Sequence, residues 1–262
     1  MTDRAELTPD RQLRGLRASL ANGQSLLATF SIIPTPEVCD LICVAGFDAV
    51  IIDMEHSTHS RRTVEFALTV AASRGVPAVV RVPDGTPATI QAVLDSGADA
   101  VLVPQVTSAQ EARAAVAAAR FAPEGRRGVN PWVRAARYGA DENWLTTANS
   151  AAAVIVMVEG GDAIEQIDEI LQVPGLDAVF LGPVDLAASM GLGGQPNHPR
   201  VVAAMSEIIA KADASGVAVA AFAPDVERAR DLRRQGVRLI ACLEDTALFL
   251  TALRQVVDAM RD

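Results

Sequence analysis

AGFDAVIIDMEHSTHSRRTVEFALTVAASRG, residues 45–75, carries two patterns one after the other. Ala49–Asp53 is a short unbroken apolar run rich in β-branched side chains, and a charged cluster of Asp53, Glu55 and His56 closes it. After Ser60 the apolar residues return at helical spacing until Gly75 stops them. A strand without polar alternation is buried on both faces, as in a parallel sheet covered by helices. The same unit recurs along the chain. Strands are expected at Leu26–Ser31, Ala49–Asp53, Pro77–Val82, Ala100–Pro104, Ala153–Val158, Ala178–Gly182, Val217–Ala221 and Arg238–Cys242, after an opening helix near 10–21. Thr35, Ser60, Ser108 and Asp225 suit helix N-caps, with Pro36 at a first helical position. Gly75, Gly97, Gly216 and Gly236 suit helix ends.

Eight such units within 262 residues match a single (β/α)8 TIM barrel of class α/β spanning 1–262. Residues 1–24 then form a helical extension, and 121–150 a long irregular insertion holding both tryptophans and the single tyrosine. A doubly wound open sheet is the rival. It finds no support, because neither G-x-G-x-x-G after the first strand nor G-x-x-x-x-G-K-[ST] is present.

Composition narrows the function. Half the residues are hydrophobic and the net charge is -9, which disfavours nucleic acid and anionic membrane surfaces as partners. Cys39, Cys43 and Cys242 lie in apolar surroundings and read as reduced core residues. No apolar stretch approaches the roughly 20 residues of a membrane span, and residues 1–25 lack the apolar core of a signal peptide, so a cytoplasmic protein is expected. Lys211 is the single lysine and lies in an amphipathic helical pattern, which argues against Schiff-base catalysis.

In a barrel the site lies at the C-terminal strand ends. Those ends offer Asp53, Glu55 and His56 (strand two), Arg81 (three), Gln105 (four), Glu159 (five) and Gly182-Pro183-Val184-Asp185 (six). Glu244 and Asp245 fall just beyond strand eight. Glu159 and Asp185 follow adjacent strands about 4.8 Å apart, so they can converge on one hard divalent cation. Such an ion would chelate a 2-oxo acid and, as a Lewis acid, make the adjacent C–H acidic and stabilise an enolate. Either carboxylate alone could equally be a helix N-cap or a loop salt bridge. Arg81 suits a carboxylate or enolate oxygen, or an ion pair with Asp53 or Glu55, and the two roles can coexist. His56 suits proton transfer, with Asp95 a candidate partner that could instead be a surface acid at a helix end. Arg126 and Arg127 read as loop or interface residues, His59 as part of a polar loop and His198 as a turn residue.

These residues resemble the HpcH/HpaI aldolases, class II pyruvate aldolases on a (β/α)8 barrel of phosphoenolpyruvate/pyruvate type. The likeness rests on AGFDAVIIDMEHS (45–57), VVRVP (79–83), VLDSGADAVLVPQV (93–106), FAPEGRRGV (121–129), VEGGDAI (158–164) and GLDAVFLGPVDLAASMG (175–191). It implies that Glu159 and Asp185 bind Mg2+, Mn2+ or Co2+, with no nucleotide or organic cofactor. Arg81 would hold the pyruvyl oxygen, and the amides of Val184 and Asp185, after Gly182 and Pro183, would receive the carboxylate. His56 would pair with Asp95, while Asp53, Glu55 and Gln105 would support the site from behind. The implied reaction cleaves or forms 4-hydroxy-2-oxo acids from pyruvate and an aldehyde, in a homohexamer built as a trimer of dimers. The chain departs from the family pattern at Met157 (usually Gln), Gly160 (usually Thr), Phe30 (often Trp) and IACLEDTA, 240–247. These changes leave open an enolate-using synthase acting on oxaloacetate and, less strongly, a catalytically silent barrel.

Overall fold

The computed structural model describes residues 15–261; residues 1–14, including the start of the opening helix expected near 10–21, lie outside the described part. Eight parallel strands close into a barrel in chain order: β1 Leu26–Ser31, β2 Ala49–Asp53, β3 Ala78–Arg81, β4 Ala100–Val103, β5 Ala153–Val158, β6 Ala178–Leu181, β7 Ala218–Ala223 and β8 Leu239–Glu244. Helices return the chain between strands, as the two alternating periods require. All four expected N-caps accept a backbone N–H: Thr35 from Val38, Ser60 from Thr63, Ser108 from Glu111 and Asp225 from Arg228. β7 and β8 each run two residues further than expected, so Glu244 sits on the last strand.

Side chains sort by parity. One set, including Ala49, Ile51, Val79, Leu102, Ile155, Met157 and Phe180, fills the barrel interior. The alternate set, including Val50, Ile52, Val80, Val103, Val156 and Leu181, packs outward under the helices. Leu16 and Leu20 of the helix Leu16–Ala21 are each 1% exposed and join the interior cluster, closing the N-terminal end of the barrel. The 121–150 insertion is better ordered than its composition suggests. A 3-10 turn, Arg134–Gly139, and a helix, Trp144–Ala151, pack around Phe121, Ala136 and Trp144. Trp132 and Tyr138 remain on the surface.

A repeat, G-x-D-A-V, ties the strands together at the N-terminal end. Asp48, Asp99 and Asp177 each precede an even-numbered strand, and each accepts an N–H from the first or second residue of the strand before it: Leu27, Ala78 and Val154, at 3.0, 2.9 and 2.8 Å. Each carboxylate thereby satisfies a donor that the ladder leaves unpaired. Asp177 does more. It also holds Arg17 at 2.5 Å and Arg120 at 2.8 Å, and Arg120 is 1% exposed. Asp177→Ala should therefore cost about 3–5 kcal/mol by stranding a buried guanidinium. Asp99→Ala, which frees one N–H, should cost about 1–3 kcal/mol. Urea midpoints at equal m-value rank the two, and equal losses would show that Arg120 contributes nothing.

Candidate active site

Parity also builds the mouth. On β2 and β3 the inward positions end at Asp53 and Arg81, which are paired across the ladder. Asp53 is fully buried and takes two 2.7 Å hydrogen bonds, from Arg81 Nε and Nη2. It also accepts the N–H groups of Glu55 (2.9 Å) and His56 (3.2 Å), so one carboxylate shapes the loop after β2. Arg81 Nη1 lies 3.3 Å from Glu55 Oε2, and its guanidinium stacks 4.8 Å from the Phe30 ring centre. Burial opposes the charge on Arg81, but the hydrogen bonds and charge of Asp53, with Glu55 and Glu159, raise its pKa overall. Both ion pairs considered for Arg81 are formed.

Gln105 joins two strands' acids. Its backbone N–H donates to Glu159 Oε1 and its side-chain amide to Glu55 Oε1, both at 2.9 Å. It does so from a left-handed backbone, φ 54°, that a non-glycine residue holds only where its surroundings dictate it. Glu159 and Asp185 line one cleft of about 320 Å³ with Glu55, His56, Gln105, Val106, Thr107 and Gly160. Burial, then the neighbouring charges of Asp185 and Glu55, push the Glu159 carboxyl above its ordinary range against the Gln105 N–H and Arg81. Gly182 makes room for the Glu159 side chain. A Cβ there would sit 2.9 Å from Glu159 Oε2 and 3.2 Å from its Cβ. In the helix Pro183–Ser189 that follows, the first-turn N–H groups at Val184 and Asp185 have no capping side chain.

His56 and Asp95 do not meet within this chain. His56 is exposed at the rim, its Nε2 3.9 Å from Glu55 Oε2. Asp95 closes the helix Pro87–Asp95, which starts at the mouth and runs back towards the other end of the barrel. There it pairs with Arg127 Nη2 at 2.6 Å. Arg127, expected in a loop or interface, is buried and lies over the Phe121 and Trp144 rings, anchoring the insertion. His59, expected in a polar loop, is buried 3.1 Å from Thr63 Oγ1, and that burial lowers its pKa. His198 caps a helix, accepting from the Arg200 N–H. Glu244 was placed beyond its strand by sequence reasoning. It lies on β8 within the field of Arg81 and Asp53. The departure at 240–247 was the available signal. No helix among the described residues is long and apolar enough to cross a membrane.

Comparison with known proteins adds the lineage. Residues 27–252 match the family model described as HpcH/HpaI aldolase/citrate lyase. A hydroxypyruvate/pyruvate aldolase of Paraburkholderia phytofirmans is 36% identical over 94% of this chain and 97% of its own. The crystal structure of a family member from Burkholderia cenocepacia superposes with a TM-score of 0.90 at 36% identity, covering 94% of this chain and 99% of that one. The citrate synthase SbnG superposes at 0.86 with 28% identity, over 94% and 97%. The barrel, the acid-and-arginine mouth and these likenesses agree: the chain belongs to the HpcH/HpaI aldolase/citrate lyase family, and it is a carbon–carbon lyase.

Proposed function

We propose that this lyase is a divalent-metal-dependent aldolase that cleaves or forms 4-hydroxy-2-oxo acids, exchanging pyruvate and an aldehyde. The observation that carries this reading is the cleft where Glu159 and Asp185 crowd together beside Arg81. The donor set fits a hard cation: two carboxylates line one cleft, and burial and the charges of Asp185 and Glu55 push Glu159 in a direction a cation would relieve. Among the described residues no group of three or more His, Cys, Asp or Glu gathers at one point, so two carboxylates would hold Mg2+, Mn2+ or Co2+ and leave positions for substrate oxygens. When bound, the ion supplies Lewis acidity to the keto group and acidifies the neighbouring methyl.

The chain's own residues do the rest. Arg81, fixed by Asp53 and Glu55, presents its remaining N–H groups to the oxygen on which negative charge develops. The amides of Val184 and Asp185 receive the substrate carboxylate, and Gln105 keeps Glu159 and Glu55 in register. His56, at the solvent edge, moves a proton at the 4-hydroxyl. The similarity to a citrate synthase, with the apolar Met157 beneath the Glu159–Gly182 contact, favours a second reading, an enolate-using synthase fed by oxaloacetate. We also propose a homo-oligomer of the hexameric, trimer-of-dimers kind. Its support is the helix Asp245–Ala259, where Phe249, Leu253 and Val256 repeat on one exposed face and Met260 follows as its C-cap.

Pyruvate release from 4-hydroxy-2-oxo acids should require Mn2+ or Mg2+, stop with EDTA, and fall at least about 100-fold in Glu159→Ala, Asp185→Ala or Arg81→Ala. Pyruvate from oxaloacetate alone would favour the synthase, and metal-independent turnover would end the aldolase reading. Gly182→Ala should weaken Mn2+ binding at least about tenfold, read by calorimetry, with an unchanged circular dichroism spectrum. Unaltered affinity would dismiss the Glu159–Asp185 pair as the ligand set. Leu253→Asp should reduce the assembly's mass in sedimentation velocity, and an unchanged mass removes this helix from the interface.

A further inference from the structure

One position at the mouth breaks the parity that places the others. On β8, Leu239 and Ala241 face the interior, while Ile240 and Cys242 face the outer shell. Strict alternation would send Leu243 inward and Glu244 outward. The chain does the reverse. Leu243 packs with the outer shell, and its backbone is left-handed, φ 61°. The ladder to β1 steps from Ala28↔Ala241 to Phe30↔Glu244, two residues on one strand against three on the other. This is a β-bulge, the device that re-aims a side chain at a strand end.

The bulge is held on both sides. Thr29 Oγ1 donates to the Leu243 carbonyl at 3.0 Å, and Asp245 Oδ2 accepts the N–H groups of Ile32 and Ile33 at 2.9 and 3.0 Å. A leucine stays in a left-handed conformation only under such constraint. The result is a carboxylate level with Phe30, the ring beneath the Arg81 guanidinium. In a closed eight-stranded barrel β8 stands opposite β4, so Glu244 faces the arc that carries Gln105 across the mouth.

We propose that Glu244 is a specificity residue that rejects electrophiles carrying a second carboxylate and favours uncharged, hydroxylated aldehydes. This rests on the aldolase reading above. Arg81 is the guanidinium of the mouth, and Asp53 and Glu55 already engage it. A second substrate carboxylate would therefore meet Glu244 without a free cation to offset it, whereas a hydroxyl can donate to it. Burial, then the charges of Asp245 and Asp53, raise the Glu244 pKa against Arg81, so a neutral donor is welcome where another anion is not.

The test compares 2-oxopentanoate with 2-oxoglutarate, alike in length but differing by one terminal carboxylate. Calorimetric titration into the full-length, Mn2+-loaded protein gives an affinity ratio for wild type, Glu244→Gln and Glu244→Asp. Glu244→Gln should shift the ratio about fivefold or more towards 2-oxoglutarate, the scale expected of one unit charge across a solvated mouth. Glu244→Asp should stay near wild type. Turnover of pyruvate with glyoxylate against glycolaldehyde should swing the same way. A Glu244→Gln ratio within twofold of wild type overturns the assignment, and so does an equal shift in both variants, which would signal shape rather than charge. If wild type binds neither oxo acid, the aldolase reading falls and the assignment with it. If it binds both and the ratio stays fixed, Glu244 alone is removed.

Discussion

The strands alternate their side chains between interior and shell, with β8 departing only at its terminal bulge, and closing eight of them into a ring lets one parity reach the mouth. That constraint selects the chemistry. Asp53, Arg81 and Glu159 lie at an even count from interior residues of their own strands, Ile51, Val79 and Met157. A one-residue slip on any of them would turn a charged group into the helical layer, where no water or counter-ion receives it. Asp53 shows how tightly the position is specified. It is fully buried, bonded twice to Arg81 and twice to the backbone after β2, so the loop bearing Glu55 and His56 has little freedom of its own.

The barrel was legible because its signals are local and repeated. Unbroken β-branched runs, N-caps and glycine stops each report on a few neighbouring residues, and eight repetitions leave little room for another topology. The strand-end acids and Arg81 were legible for the same reason, since each interrupts or ends an apolar run. Within this chain Asp95 does not reach His56, because a helix in this fold starts at the mouth and ends at the far side. Sequence offered it as a partner for His56 or as an acid at a helix end, and helix direction carries it to Arg127. Arg127 itself was invisible as a structural residue, because nothing in FAPEGRRG states that one of two adjacent arginines will stack under Phe121 and Trp144.

Glu244 marks a different limit. A bulge changes parity by one residue, and its sequence signature is strongest when glycine occupies the left-handed position. Here leucine occupies it, at about 1–2 kcal/mol of conformational cost, so composition gives no warning. The compensation is tertiary: Thr29 and Asp245 hold the peptide from β1 and from the start of the last helix. Gln105 is comparable, a non-glycine residue at φ 54° whose strain is repaid by hydrogen bonds to Glu55 and Glu159.

Electrostatics sets the order in which the mouth must be filled. Asp53, Glu55 and Glu159 bear on the Arg81 guanidinium, two of them in direct contact, and Asp185 lines the same cleft as Glu159. An anionic substrate approaching this arrangement alone meets net repulsion. On the proposed reading, a divalent cation held by Glu159 and Asp185 would reverse the local sign and leave Arg81's outward N–H groups as the second anchor, so cation binding would precede oxo-acid binding. The same excess of negative charge makes a fifth inward carboxylate, Glu244, costly to maintain at the opposite rim. A chain that strains a leucine to keep one there gains from it not in stability but in what the mouth turns away.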